Sequence, residues 1–86
     1  MAEELVGRVT HYFGKAQVAA IKITAGQLSV GDTIHVVGHT SDFTQQIDSM
    51  QIDRAPVDLA KVGDEIGIRV AEQAREHDEV FRVTPD

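Results

Sequence analysis

The chain has 86 residues, of which 42% are hydrophobic, and its formal net charge is −6 at neutral pH. This length suits one small domain with a single core, and this apolar content argues against disorder. The acidic balance disfavours tight binding to a phosphate backbone. Because only one Tyr and three Phe are present, the core has to consist mostly of Val, Ile, Leu and Ala, and the β-branched members of that set favour strands.

Compartment can be inferred from what the chain lacks. It contains no cysteine, which excludes a disulfide framework and a thiolate zinc site. The first four residues include two glutamates and no basic residue, whereas a signal peptide would be basic and then apolar. No apolar run approaches the roughly 20 residues that span a membrane. We therefore expect a cytoplasmic protein with no membrane partner.

The negative charge is concentrated in one half of the chain. Residues 1–41 hold three basic and three acidic residues, whereas residues 42–86 hold five basic and eleven acidic ones. Three of the four histidines also lie in the neutral half. An anionic partner would therefore have to approach through N-terminal segments.

Alternation of apolar and polar residues with a period of two predicts strands. Six segments show it: 5–13, 16–24, 33–37, 43–52, 66–70 and 81–83. In the first segment, the residues predicted to share one side are Leu5, Gly7, Val9, His11 and Phe13. Turns are expected at 14–15 and 25–26, and loops at 38–42, 54–61 and 71–76, the last with at most a single helical turn.

The fourth predicted strand changes its apolar parity midway. Phe43 and Ile47 share one parity, whereas Met50 and Ile52 share the other. A β-bulge near Asp48 would keep both pairs on the core side and bend the strand, as barrels require for closure. Six short strands without a long helix predict an all-β barrel that forms one domain over residues 1–86, with residues 1–4 and 84–86 frayed.

A turn signal occurs twice, as Val30-Gly31-Asp32 and as Val62-Gly63-Asp64. The valine before each glycine is expected to anchor the loop to the core. The glycine supplies a backbone angle that other residues resist, and the aspartate bonds back to nearby amides before a strand begins. Further structural turns are expected at Gly26 and Gly67.

The longer pattern Gly26-x-Leu28-x-Val30-Gly31-Asp32-x-Ile34, followed by 60–67, resembles the second domain of translational GTPases of the elongation factor Tu group. The blocks 9–13, 38–45 and 49–51 are similar to stand-alone elongation-factor-like proteins, whose module also resembles the C-terminal domain of collagenase-like peptidases. The resemblance implies a closed six-stranded Greek-key barrel. Where the family commonly has a third glycine-aspartate, this chain has His77-Asp78, so we expect that turn to be differently shaped or looser.

Catalytic motifs are missing from the sequence. It contains no Gly-x4-Gly-Lys-Ser/Thr loop for a nucleoside triphosphate and no nucleophile elbow of a Ser-His-Asp triad. The chain is therefore predicted to be no enzyme and to need no cofactor. His11, His35, His39 and Asp42 could form a metal site if the loop folds back, but ordinary hydrogen-bonded histidines are the favoured interpretation.

A recognition surface is predicted near one end of the barrel, where aromatic, imidazole, amide and basic side chains gather. Its members are Arg8, His11, Tyr12, Lys15, His39, Thr40, Asp42 and Gln45, with Ser41 and Phe43 beside them. The alternative is that Phe13 and Phe43 belong to the core and the polar residues are solvated or cap turns.

Two functions compete for this surface. In the elongation factors, the second domain contacts the acceptor end of aminoacyl-tRNA and ribosomal RNA, so the resemblance implies association with RNA or the ribosome. The acidic second half and the lack of a basic stripe argue against that function. The alternative is a protein-binding adaptor, such as a regulatory partner of a larger enzyme.

Overall fold

Short strands joined by turns make up the computed structural model, which describes residues 2–84 and contains no helix in that range, hence none that could cross a membrane. The strands are β1 (Ala2–Phe13), β2 (Val18–Ile23), β3 (Gln27–Ser29), β4 (Thr33–Val37), β5 (Asp42–Gln46), β6 (Met50–Ile52), β7 (Ala55–Val57), β8 (Leu59–Lys61), β9 (Glu65–Arg69) and β10 (Glu79–Thr84). The predicted all-β class is confirmed.

Eight of these strands form one sheet in the order β5-β4-β10-β1-β2-β9-β6-β7, and β3 pairs separately with β8. All neighbours are antiparallel. The ladder ends on β5 and β7 without backbone pairing between them, so closure into the predicted six-stranded Greek-key barrel is not shown. Met1, Pro85 and Asp86, expected to fray, lie outside the described residues, whereas Ala2–Glu4 pair with β10.

The core contains mostly branched aliphatic side chains. Ile21, Ile34, Ile66 and Ile68 are each at most 1% exposed. The β3–β8 ribbon adds Leu28 and Ala60, both fully buried. Phe43 is the one aromatic side chain in the core of the described residues.

The parity change predicted as a bulge marks a change of partner strand. β5 ends at Gln46 and pairs with β4, whereas β6 begins at Met50 and pairs with β9 and β7. Residues 47–49 between them belong to no strand. The interruption lets Phe43, Ile47 and Met50 all face the core, so the single long strand predicted over 43–52 was wrong.

The segment 54–61, predicted as a loop, contains β7 and β8. Each has three residues, which is too short for a period of two to be recognised. Pro56 lies on β7, the last strand of the sheet, where its missing N–H deprives no further strand of a partner. The segment 71–76 contains neither helix nor strand.

The single face predicted for β1 was wrong. The register shifts between Leu5 and Gly7 against β10, and between Val9 and His11 against β2. The first irregularity turns Val6 into the core and leaves Leu5 42% exposed, and Phe13 beyond the second is 51% exposed. Since each bulge adds one residue, the side chains beyond it change face.

Three turns share one hydrogen-bond pattern. Asp32, Asp64 and Asp78 each accept, on Oδ2, a bond of 2.8–2.9 Å from the backbone N–H three residues earlier. The N–H of each of these aspartates donates in turn to the carbonyl of that same earlier residue, at 3.0–3.1 Å. The turn at His77-Asp78, expected to be looser, therefore matches the other two.

The position before each aspartate explains this equivalence. Gly31 and Gly63 have φ of 98° and 97°, and His77 has φ of 75°. The backbone of His77 thus enters the left-handed region that glycine occupies in the other turns, at a cost of about 1 kcal/mol or more for a residue with a side chain.

Two expectations about turn residues need correction. Val30 and Val62 are 39% and 61% exposed, so they do not anchor their loops; the buried Leu28 and Ala60, two residues earlier on the ribbon, do. Gly67 lies within β9 opposite Ala20 and not in a turn, whereas Gly26 lies in the bend before β3 with φ of 64°.

We expect His77→Gly to raise the free energy of unfolding by about 0.5–1 kcal/mol, because relief of the left-handed strain outweighs the greater entropy of glycine in the unfolded chain. A urea titration measures the change. The matched control is Glu76→Gly in the same turn, where φ is not positive and glycine should destabilise. An equal loss of stability in both variants would contradict the strain argument.

Candidate binding groove

An open groove of about 630 Å³ runs between the irregular part of β1, the β4–β5 loop and the turn before β10. Its lining combines apolar, basic and imidazole side chains: Leu5, Gly7, Arg8, Thr24, Val37, Gly38, His39, His77 and Glu79. This groove brings together Arg8 and His39, two of the residues predicted for recognition.

Arg8 is placed by the first bulge of β1. Arg8 pairs in register with Lys22 on β2 and with Glu79 on β10, and it is exposed to solvent. Within residues 2–84, Arg8 takes part in no side-chain hydrogen bond and no ion pair. Its guanidinium is therefore available to a ligand.

Backbone hydrogen bonds hold the two segments that carry the histidines of the groove. The loop of His39 is closed by the Gly38 N–H, which donates to the Ser41 carbonyl at 2.8 Å. The backbone of His77 is held on β1, because its N–H donates to the Val9 carbonyl at 2.8 Å. The turn that creates positive φ at His77 thus also brings this residue to the groove.

Gln45, another predicted recognition residue, holds two segments of the chain together. Its Nε2 donates to the Arg69 carbonyl and its Oε1 accepts from the Ala71 N–H, both at 2.9 Å. The side-chain amide thereby forms the two backbone hydrogen bonds that a neighbouring strand would form, and it connects β5 with the end of β9. Gln45 lines a different groove from that of Arg8.

The other predicted residues do not join the Arg8 groove. Tyr12 is half-buried against the core. The His11 ring lies 4.4 Å from the exposed Phe13 ring, edge to face, and its Nδ1 is 3.3 Å from Glu76 Oε1. Lys15 in the β1–β2 turn and Thr40 in the β4–β5 loop are exposed.

Asp42 and His35 form a separate polar cluster with Glu3. His35 Nε2 is 2.5 Å from Asp42 Oδ1, and Nδ1 is 2.8 Å from Glu3 Oε1. These contacts tie β4 to β5 and to the start of β1. Of the four residues considered for a metal site, only His35 and Asp42 contact each other, whereas His11 contacts Glu76. Within residues 2–84, no group of three or more His, Asp or Glu residues is arranged to hold a metal ion.

The two carboxylates raise the pKa of His35 above 6.5, with the hydrogen bond to Asp42 as the larger cause and that to Glu3 as the next. A raised folded-state pKa contributes stability that is fully present below about 6.5 and is lost as pH rises through the folded value. We expect His35→Asn to remove this pH-dependent part of the unfolding free energy, as urea titrations across that range would measure.

Variants of the two carboxylates provide the control for that prediction. In NMR titrations, Asp42→Asn should lower the pKa of His35 more than Glu3→Gln does. An unchanged His35 pKa in both variants would refute the proposed cause.

Sequence reasoning missed Leu5 and His77 as members of the groove. A single strand phase assigned Leu5 to the core side, and only the bulge after it exposes the side chain. The signal for His77 was present, because it occupies the glycine position of the third turn. That signal concerned the backbone and did not indicate that the residue borders Arg8.

The structure is that of a small all-β domain with an open groove beside Arg8. No protein-family model matches the chain. An uncharacterized protease of Methanocaldococcus jannaschii is 35% identical over 77 residues, 88% of this chain. A collagenase of Porphyromonas gingivalis is 32% identical over 78 residues, 90% of this chain. The chain spans only about a fifth of these relatives, 19% and 22% of their lengths.

Two solved structures share the fold of this chain. The C-terminal domain of a Geobacillus thermoleovorans protein assigned to the U32 peptidases superposes with a TM-score of 0.87 at 18% identity, over 94% of this chain and 93% of that domain. Its selenomethionine variant gives 0.84 at 19% identity, over 90% of this chain and 96% of that one. The predicted similarity to the C-terminal domain of collagenase-like peptidases is confirmed, and that to translational GTPases stays a prediction.

Proposed function

We propose that the chain is a non-catalytic accessory module that binds a polypeptide and serves a larger enzyme of the protease type. The observation that carries this proposal is the mismatch in coverage: nearly all of this chain aligns with only about a fifth of each protease. A domain with the same fold also forms the C-terminal part of a U32 peptidase. A chain of this size corresponds to one separable domain of such a protease. We assign the proteolytic reaction to the remainder of the protease.

The groove supports binding as the activity of this part. It offers apolar contact area at Leu5, unpaired charge at Arg8 and rigid loop backbone at His39, which are features that favour protein recognition. We keep the cytoplasm as the proposed location of this role.

Association with RNA has less support. The residues that we predicted for it are dispersed over several sites: Arg8 and His39 share a groove, Gln45 holds backbone, and Asp42 binds His35. A net charge of −6 also repels a polyanion. RNA is accordingly treated as the competing outcome of the test.

The test is affinity capture with the tagged chain from the cells that produce it, followed by reconstitution from purified components. We expect a protein that forms a defined complex with the chain in sedimentation experiments, resists a wash at moderate salt and is not released by RNase. A captured RNA whose binding falls steeply with salt, or no complex after reconstitution, would refute the proposal.

A further inference from the structure

We propose that the groove beside Arg8 recognises a carboxylate next to an apolar side chain in an extended segment of the partner protein. This inference rests on the proposed function, because it names the chemistry by which the module would bind its polypeptide. The ligand group is the side-chain carboxylate of an Asp or Glu.

Charge complementarity identifies the acidic group of the ligand. The chain as a whole is strongly acidic, yet this groove presents one exposed cation, Arg8, beside two imidazoles, His39 and His77, and a single carboxylate, that of Glu79. Arg8 is exposed and makes no ion pair within residues 2–84. A guanidinium presents donors that match the two oxygens of a carboxylate, and such charge-assisted bonds are stronger than neutral ones.

An apolar neighbour of the carboxylate is indicated by the rest of the lining. Leu5 is 42% exposed and lies in the same lining as Arg8. Val37, also in the lining, lies half-buried on β4. Covering these side chains with an aliphatic group removes apolar surface from water, which favours binding.

A short acidic peptide fits this groove better than a nucleic acid does. A carboxylate bound at Arg8 senses charges within about 8 Å, the screening length at physiological salt. An RNA backbone would carry further phosphates past the acidic remainder of the domain, where they are repelled. The lining also contains no Phe, Tyr or Trp, the large rings on which bases stack in single-strand-binding proteins.

The probe is an acetylated, C-terminally amidated tetrapeptide that ends in Leu-Asp, titrated into the isotope-labelled full chain. Amide shifts should concentrate at 5–8, 37–39 and 77–79. Arg8→Gln should weaken binding by about tenfold or more, as expected for a lost charge-assisted bond. The matched control is Arg69→Gln, which changes an exposed arginine outside this groove and should leave the affinity unchanged.

Three outcomes would overturn the inference: equal binding of a Leu-Asn peptide, unchanged affinity in Arg8→Gln, or shifts centred on Phe13 instead of Arg8. Stronger binding of an oligouridylate in the same groove would also contradict it. His39→Gln offers a second test if Arg8→Gln gives a poorly folded protein, and a moderate loss of affinity is expected.

Failure of this inference can be told from failure of the proposed function. If Arg8→Gln still forms the reconstituted complex and the peptides do not bind the groove, the module binds its partner through another surface. If the wild-type chain forms no complex, the proposed function fails, and the Leu-Asp titration still decides what the groove recognises.

Discussion

Alanine at position 7 is expected to lower the free energy of unfolding by about 3 kcal/mol or more, near the upper end of the effect of overpacking. A Cβ on Gly7 would lie 2.2 Å from the backbone oxygen of Lys22 and 3.3 Å from the Ile21 side chain. Because the nearest atom belongs to the backbone of β2, no rotamer change relieves the contact. β1 has to move away from β2 at the pairs that follow the first bulge.

Urea denaturation and amide exchange measure this effect. The loss of protection should be greatest along β1 and β2, where Gly7 pairs with Ile23. Gly14→Ala is the matched control, because its Cβ would meet only a Tyr12 ring carbon at an ordinary 3.7 Å. Equal stability of Gly7→Ala and wild type would show that β1 has more room beside β2 than the structure gives it.

Alanine at position 38 should have an effect of similar size, about 2–4 kcal/mol, for a different reason. The new Cβ would lie 1.8 Å from Oδ1 and 2.5 Å from Cγ of Asp78. Asp78 is only 3% exposed and holds the third turn by accepting the Arg75 N–H. Its carboxyl group can move only by breaking that bond, which would release the turn that places His77 at the groove.

A double-mutant cycle isolates this contact. Asp78→Ala alone removes a buried charge-assisted bond and should cost about 1.5–3 kcal/mol. Combined with Gly38→Ala, it also removes the clashing oxygen, so the double variant should lose about 1–2 kcal/mol less than the sum of the single losses. Additive losses would show that the two side-chain positions do not compete for the same space.

Local patterns predicted the strands better than their partners. β2, β4 and β9 each follow one strict alternation, so period two located them closely. β1 does not, because two bulges reset which side faces the core, and a bulge changes parity without any residue type that marks it. The three-residue strands β7 and β8 became visible only through their partners, β6 and β3.

The candidate groove was predicted in part. Arg8 and His39 were selected for their chemistry, and the structure places both in one lining. Gln45 was selected for the same reason, yet its amide bonds to backbone at both ends. Residue type shows what a side chain can donate or accept, whereas its partner depends on which distant segment lies beside it.

What the sequence alone determined about this protein is local: an all-β chain without cysteine, turns at glycine-aspartate pairs and a charge that lies in its second half. These properties follow from backbone preferences and composition, which act over a few residues. Tertiary structure decided which residues meet. Leu5, Arg8, His39 and His77 come from three separate parts of the chain, and they share a groove because the first bulge and the third turn bring them there. Register and turn geometry depend on pairing between distant segments, so no local pattern contains that juxtaposition.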